Sequence, residues 1–275
     1  MSVLLDGTDD CLSQETAQTW GIADAWTVYV RYKQDAATTS KAVMQISNDM
    51  AAPGTSSGIK FITNGVLLLN TSGANLKFYT GLTLSTNWTT VVATWDGATN
   101  TFTVYQDGVD ITAGMAKVVD NAGTMANSSR DMYVGCSTND SGSTKLEHFN
   151  GQISEVAAWN IIMTADEVAA LDASNLKHFP LNHRANNCQF YFPLNEVADG
   201  VSADGVIFRD LITGSFITGD DGANNTGLTG AAEEELSYQP YIMTPQSIAA
   251  VAAAQVIAER GPFRGINRGI RRGAA

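Results

Sequence analysis

Arginines near the end of the chain are spaced regularly enough to act together. Arg-Gly pairs recur every four residues from Arg260 to Gly273, with apolar side chains between them. A guanidinium group donates paired hydrogen bonds to carboxylates or phosphates, so this segment has the chemistry to anchor the chain on a partner. The side chains predicted to make the anchoring contacts are Arg260, Phe263, Arg264, Ile266, Arg268, Ile270, Arg271 and Arg272. An acidic protein groove, a nucleic acid and a solvated tail without a partner remain open interpretations, with nucleic acid the least favoured.

Acidic and histidine side chains show no pattern typical of an enzyme. Retaining hydrolysis of a glycosidic bond needs two carboxyl groups about 5–5.5 Å apart. The adjacent acids Asp9-Asp10 and Asp220-Asp221 would point to opposite faces of a strand, and we expect solvated turn residues there. No metal-ligand spacing links the three histidines, His148, His178 and His183. The sequence also has no nucleophile elbow and no phosphate-binding glycine motif, so we predict no catalytic residues and no enzyme activity.

The chain has three cysteines, Cys11, Cys136 and Cys188. A small, odd number of cysteines does not indicate a disulfide framework. We therefore expect buried thiols in a reducing compartment. The first residues lack the basic and apolar regions of a secretion signal. No apolar run approaches the ~20 residues that span a bilayer. The expectation is a protein made in the host cytoplasm without Sec export and without a membrane partner.

Most of the first 160 residues have the pattern of short strands separated by turns. Ala25–Tyr32 is rich in β-branched and aromatic residues and alternates between two faces. Asn64-Gly65, the segment 96–100 and Asp107-Gly108 are turn signals between apolar runs, and they predict hairpins. Strands are also predicted over three later segments, 131–135, 151–159 and 188–196. Regular short strands with Gly and Asn between them indicate a sandwich or a barrel.

Two helices are predicted. Thr164 caps a short helix over residues 164–172, and Glu167 three residues later completes a capping box. Thr244-Pro245 begins an alanine-rich helix that ends at Arg260-Gly261-Pro262. A helix of this length is marginal alone in water, so it must pack on its own sandwich or on a neighbouring subunit.

Charge separates the end of the chain from the rest. The whole chain carries −12, whereas residues 259–275 hold five arginines and one glutamate, a local +4. The remainder therefore carries −16, which disfavours binding of the main body to nucleic acid or anionic membrane. A basic segment after an acidic body suggests that the segment has its own partner.

Several segments together resemble the concanavalin A-like lectin/glucanase superfamily, in its laminin-G-like branch. They are residues 4–10, 88–97, 103–108 and 149–160, followed by the helix start at Thr164. The resemblance implies an antiparallel jelly-roll sandwich that acts as a binding or structural module more often than as a catalyst. Enzymes of this fold carry a Glu-x-Asp-x-x-Glu run, and the sequence has none.

The resemblance also implies where a ligand would bind. Calcium is the one ion it suggests, at the rim of the sandwich, and no other cofactor is expected. The oxygen donors proposed for it are Asp6, Asp96, Asp107 and Asp140, with no ligand set fixed. Relatives often have an aspartate where this chain has Ser154, which weakens a calcium site there. Trp20 precedes Gly21 and is the exposed aromatic proposed for glycan binding, whereas Trp88, Trp95 and Trp159 match core positions.

These observations give one architecture and two functions. We predict an all-β, concanavalin A-like jelly-roll sandwich over residues 1–232, a linker over 233–243, and a C-terminal helix with an extended basic arm over 244–275. The first function is a non-enzymatic bacteriophage protein on the capsid or virion surface. It would be anchored by its helix and arm to a virion protein such as the major capsid protein, and would form a homo-oligomer. The alternative is a carbohydrate-binding module of a tail or fibre, assisted by calcium.

Overall fold

The structure is a computed structural model. It describes residues 2–14, 18–20, 24–47, 58–69, 75–125, 129–138, 144–172, 180–220 and 228–231. The predicted linker, the C-terminal helix and the basic arm lie outside them.

Short strands make up most of the described chain. In chain order they are β1 (Ser2–Asp6), β2 (Cys11–Ser13), β3 (Gln18–Thr19), β4 (Ala25–Gln34), β5 (Ala42–Ile46), β6 (Gly58–Ile62), β7 (Gly65–Leu69), β8 (Asn75–Thr80), β9 (Thr89–Asp96), β10 (Thr101–Gln106), β11 (Val109–Asp110), β12 (Ala116–Asp120), β13 (Ser129–Arg130), β14 (Met132–Val134), β15 (Ser137–Thr138), β16 (Lys145–Leu146), β17 (Asn150–Trp159), β18 (Cys188–Phe192), β19 (Ile207–Arg209), β20 (Phe216–Asp220) and β21 (Thr229–Ala231). One α-helix, α1 (Ala165–Ala169), and three 3₁₀ turns, Thr112–Gly114, Pro180–Asn182 and Ala185–Asn187, join them.

Two large antiparallel sheets form the sandwich. The first is 8-stranded and runs β11-β10-β9-β4-β17-β1-β21, with β18 also paired to β17. The second is 9-stranded and runs β12-β8-β7-β6-β5-β14-β2-β20-β19. The predicted all-β, concanavalin A-like architecture is confirmed for the described residues, and the strands continue to Ala231.

The central strand β4 shows how the sequence pattern builds the core. Trp26, Val28 and Val30 alternate along the strand and are fully buried in the main apolar cluster between the sheets. Thr27 and Tyr29 point to the other face, yet both are also fully buried. The Thr27 hydroxyl donates to the carbonyl of Ile161 and accepts from the amide of Met163, so the segment after β17 covers this outer face.

The predicted turns are confirmed. β6 and β7 form the predicted hairpin, with Thr63 and Asn64 in the turn and Gly65 as the first residue of β7, and β9 and β10 meet across residues 97–100. β10 and β11 meet at Asp107-Gly108, where both residues have positive φ values of 50° and 77°. Such a two-residue connection matches the twist of the flanking strands, which explains why Asp-Gly is placed there.

The short helix after β17 begins as predicted. The Thr164 hydroxyl accepts from the amide of Glu167, and the Glu167 carboxylate accepts from the amide of Thr164. This reciprocal capping satisfies two amide groups that the first turn of α1 would leave free. No helix of the described residues is long and apolar enough to cross a membrane.

The prediction of three free thiols is wrong. Cys11 and Cys136 form a disulfide across 125 residues of sequence, and Cys188 alone is a free, buried cysteine. Cys11 lies on β2 and Cys136 follows β14, and these strands pair in the second sheet. Pairing of distant strands therefore brings the two sulfur atoms together, which neither the count nor the spacing of cysteines could indicate.

Candidate functional site

An open groove lies at one side of the sandwich, between the edges of the two sheets. The first sheet ends there in β10 and β11, and the second ends in β12 and β8. The chain crosses from one sheet to the other through the 3₁₀ turn Thr112–Gly114. The groove has a volume of about 510 Å³ and is lined by Lys77, Tyr79, Asn100, Thr101, Phe102, Thr103, Asp110, Thr112, Ala113, Lys117 and Asp120.

The wall formed by β8 and β12 carries a network centred on Asp120. The Lys77 ammonium and the Tyr79 hydroxyl both donate to Asp120 Oδ1, the latter over 2.9 Å. Lys117 Nζ lies 3.5 Å from Asp120 Oδ2. The Lys77 side chain is only 2% exposed, whereas the Asp120 side chain is 38% exposed. A buried cation is thus neutralised by a carboxylate that also faces the groove.

Aromatic rings fix the positions of the two ammonium groups. Lys77 Nζ lies 5.7 Å from the centre of the Trp95 ring, and Lys117 Nζ lies 5.1 Å from the centre of the Tyr79 ring. Tyr79 in turn meets Phe102 edge to face, with ring centres 5.2 Å apart. These contacts attract the cations to the ring faces and hold the floor of the groove rigid.

The opposite wall comes from the β10–β11 hairpin and the turn after it. Asp110 Oδ1 accepts from the amide of Thr112 at 2.9 Å. The Thr112 hydroxyl accepts from the amide of Val104 at 2.8 Å and donates to its carbonyl at 3.2 Å. These bonds tie the crossing segment to the edge of β10, so the wall is part of the sheet framework.

The network sets the charge of the groove at neutral pH. The hydrogen bond from Lys77 holds the pKa of Asp120 below its usual value, with further help from Tyr79 and Lys117. Burial and the bond to Asp120 raise the pKa of Tyr79. Asp120 is therefore a carboxylate and Tyr79 a neutral phenol that donates its proton.

The lowered pKa of Asp120 predicts how stability changes in acid. A carboxylate whose pKa is lowered by folding stabilises the folded state. Its contribution is complete at pH values above the pKa in the unfolded chain, about 3.9, and is lost as the pH falls through the pKa in the folded state. The Asp120→Asn variant should therefore lose less stability than the wild type between pH 5 and the onset of acid unfolding. Urea unfolding followed by tryptophan fluorescence at stepped pH values measures this. Parallel pH profiles of the two proteins would contradict it.

A second cluster of oxygen atoms lies at the end of β1. Carboxylate oxygens of Asp6, Asp9 and Asp10 all lie within 4.8 Å of one another. Asp10 is fully buried, and its Oδ2 accepts from the amide of Asp6 at 2.6 Å. The expectation that Asp10 is a solvated turn residue is wrong, because Asp10 is fully buried. The same turn passes so close to Asn150 that a side chain at Gly7 would meet it.

Of the three predicted calcium ligands that the structure describes, Asp6 alone belongs to this cluster. Asp96 accepts from the amides of Ala98 and Thr99 within its own hairpin. Asp107 accepts from the amide of Thr90 at 2.8 Å. Asp140 lies outside the described residues. The oxygen ligands at Asp6, Asp9 and Asp10 are of the type that calcium prefers, but neither Asp96 nor Asp107 belongs to the cluster.

A profile of the concanavalin A-like lectin/glucanases superfamily matches residues 6–169. The chain belongs to this superfamily. The match covers the strands from the acidic turn after β1 to the capped helix α1, including both walls of the groove.

Several solved structures are similar to this chain at low sequence identity. A SAP-like pentraxin from Limulus polyphemus is 16% identical, with a TM-score of 0.47, and the match covers 63% of this chain and 82% of that one. A sialidase CBM40 module from Ruminococcus gnavus, bound to α2,3 sialyllactose, is 12% identical, with a TM-score of 0.45 and coverage of 62% and 96%. A candidate carbohydrate-binding protein from Bacteroides ovatus is 16% identical, with a TM-score of 0.52 and coverage of 83% and 59%. No curated protein sequence matches the chain significantly.

The superfamily fold places Trp20 differently from the expectation. Its side chain is 2% exposed, and its ring meets that of Phe190 edge to face at 4.8 Å between centres. The expectation that Trp20 is exposed is therefore wrong, and the ring has no free face for a sugar. Trp95 and Trp159 are fully buried, as the resemblance implied.

The predicted anchoring residues, from Arg260 to Arg272, lie outside the described residues, and their role stays a prediction. The polar residues of the groove were absent from the sequence prediction. One signal for them was available, because Lys77 and Tyr79 alternate with Leu76 and Phe78 in a strand-like segment and so share a face.

Proposed function

We propose that this protein is a carbohydrate-recognition module that binds saccharide in the groove between β10 and β12. The observation that carries the proposal is the groove itself, an open space of about 510 Å³ lined mainly by hydrogen-bonding side chains. Ligand sites have volumes of about 300–1,000 Å³, with a few well-placed polar groups that orient the ligand. A protein of similar fold from Bacteroides ovatus is a candidate carbohydrate-binding protein, which agrees with the proposal.

The hydrogen-bonding capacity of the groove matches sugar hydroxyls. An ammonium group has three protons, and Lys117 shares the carboxylate of Asp120 with the buried Lys77, so Lys117 retains donors for a ligand. The carboxylate oxygens of Asp120 retain acceptor capacity beside them. A sugar hydroxyl donates and accepts at once, so neighbouring hydroxyls can bridge an ammonium and a carboxylate on the same wall.

The same chemistry favours binding over cleavage. Glycoside hydrolysis needs one carboxylic acid that is protonated near neutral pH, beside a second carboxylate. Asp120 has a lowered pKa because Lys77 and Tyr79 donate hydrogen bonds to it, so it is unsuited to act as the acid. The groove is therefore proposed to bind a saccharide without reaction.

A pair of alanine-to-tryptophan variants tests the site. Ala113 lines the groove and is exposed, whereas Ala116, three residues later on β12, is exposed but does not line it. Ala113→Trp should fill the groove and abolish saccharide binding, whereas Ala116→Trp should bind as the wild type does. A glycan array followed by isothermal titration calorimetry of the strongest hits measures both.

Lys117→Met removes one donor while it keeps the length of the side chain. Because a hydrogen bond from a charged donor contributes about 1.5–3 kcal/mol, affinity should fall about tenfold or more. Equal affinity of the wild type, Ala113→Trp and Lys117→Met for the same glycan would show that saccharide binds elsewhere. Absence of any hit with the full chain at high concentration would refute carbohydrate recognition.

A role on a virion surface rests on a different observation, the local +4 of residues 259–275 beside an acidic body. In that proposal the helix and arm anchor the sandwich to a virion protein such as the major capsid protein. Deletion of residues 241–275 tests it. Full occupancy of a particle by the truncated protein would rule out anchoring by the arm.

A further inference from the structure

We infer that the groove accepts uncharged saccharides and rejects acidic ones. This inference rests on the proposed function, since it names the class of saccharide that the same groove would bind. It follows from how the four charged side chains of the groove are paired and exposed.

The charges of the groove sum to zero, but they are not equally accessible. Lys77 and Lys117 oppose Asp110 and Asp120 among the lining residues. The Lys77 side chain is 2% exposed, whereas those of Lys117 and Asp120 are 47% and 38% exposed. Asp110 is exposed on the opposite wall. A ligand in the groove therefore meets two carboxylates and one ammonium group, that of the partly exposed Lys117.

That ammonium group already has a carboxylate partner. Lys117 Nζ lies 3.5 Å from Asp120 Oδ2, so a ligand carboxylate that paired with Lys117 would also lie close to Asp120. Like charges brought together at a binding site disfavour the ligand that carries the second one. Asp110 on the facing wall adds to the repulsion, and the net charge of −12 extends it to longer range.

A neutral sugar meets no such repulsion. Its hydroxyls can accept from Lys117 and donate to Asp120 without separating the two, so the ion pair is kept. Asp110 keeps its bond from the amide of Thr112 and still has a second oxygen that can accept from a hydroxyl. The arrangement thus selects against charge and remains open to hydroxyl-rich ligands.

A glycan array with matched neutral and acidic members tests the inference on the full chain. Suitable pairs are galactose oligomers and the corresponding galacturonate oligomers, which differ only at C6. The expected result is that neutral glycans dominate the hits and that each neutral member binds better than its acidic counterpart. Hits dominated by uronate, sialylated or sulfated glycans that Ala113→Trp abolishes would overturn this inference and leave the proposed function intact. No hit of either kind would overturn both.

Two substitutions then change the charge of the groove in opposite directions. Asp110→Asn retains an acceptor for the amide of Thr112 and should raise affinity for the acidic member of a pair about threefold, because one repelling charge is gone. Its affinity for the neutral member should change less than its affinity for the acidic member, so the ratio between the two should move toward the acidic member. Lys117→Gln should widen the preference for the neutral member. An unchanged ratio between neutral and acidic members in both variants would show that these charges do not select the ligand.

Discussion

Replacement of Cys11 and Cys136 by alanine is expected to lower the free energy of unfolding by about 2–5 kcal/mol. The disulfide joins residues separated by 125 positions, so it closes a long loop and restricts the unfolded chain strongly. Both cysteines are fully buried, so neither water nor a neighbouring polar side chain can replace the contact between them that alanine removes. In a thermal scan this loss corresponds to a midpoint about 5–15 °C lower for a domain of this size.

Cys188→Ala is the matched control. Cys188 is also buried, but it is free, and its hydrogen bond to the carbonyl of Phe190 is a weak thiol bond. Its replacement should cost much less than the double replacement. Thiol alkylation of the denatured, non-reduced protein gives an independent measurement, with one modified cysteine expected. Three modified cysteines together with equal stabilities would show that the disulfide does not form.

The disulfide also affects where the protein is expected to work. The sequence favoured a reducing compartment because an odd, sparse set of cysteines seldom indicates cross-links. A bond between Cys11 and Cys136 is favoured in an oxidising environment. Production in a host cytoplasm therefore remains a prediction that has lost its support from the cysteine count. A place in a virion, which rested on the resemblance and the charge of the C-terminal segment, also remains a prediction.

Local signals allowed many of the strands to be placed along the chain. Asp107-Gly108 fixes a tight turn through positive φ values that few other residues adopt, Asn64 lies in the turn between β6 and β7, and the capping box at Thr164 fixes the start of α1. Alternation along β4 correctly predicted Val28 and Val30 on one face. It did not predict that the other face is buried too, because the covering segment follows β17 and comes from more than 130 residues away.

The groove could not be predicted because its parts are distant in sequence. Lys77 and Asp120 are 43 residues apart, and they meet because β8 and β12 pair at the edge of the second sheet. Asp110 faces them only because the chain crosses between the sheets at Thr112–Gly114. The prediction that Trp20 is exposed is wrong for a similar reason. The neighbouring glycine suggests a loop, but the sequence does not show that the distant Phe190 packs against the ring.

The pairing of Lys77 with Asp120 gives the second large prediction. Asp120→Ala removes the carboxylate that neutralises Lys77 and accepts from Tyr79, both of which are 2% exposed. Loss of one partner of a buried ion pair costs about 3–5 kcal/mol, and the partial exposure of Asp120 lowers the expected loss to about 2–3 kcal/mol. Urea unfolding monitored by circular dichroism measures this loss.

A second substitution shows whether the loss comes from the uncompensated charge. In the Lys77→Met/Asp120→Ala double variant, a flexible apolar side chain of similar length replaces the buried ammonium, so no charge is left beneath the groove. Lys77→Met alone leaves Asp120 paired with Lys117 at the surface and should cost little. We expect the double variant to be more stable than Asp120→Ala, although it carries one more substitution. If the two effects simply add, the buried ammonium does not depend on Asp120, and the charge network assigned to the wall of the groove is wrong.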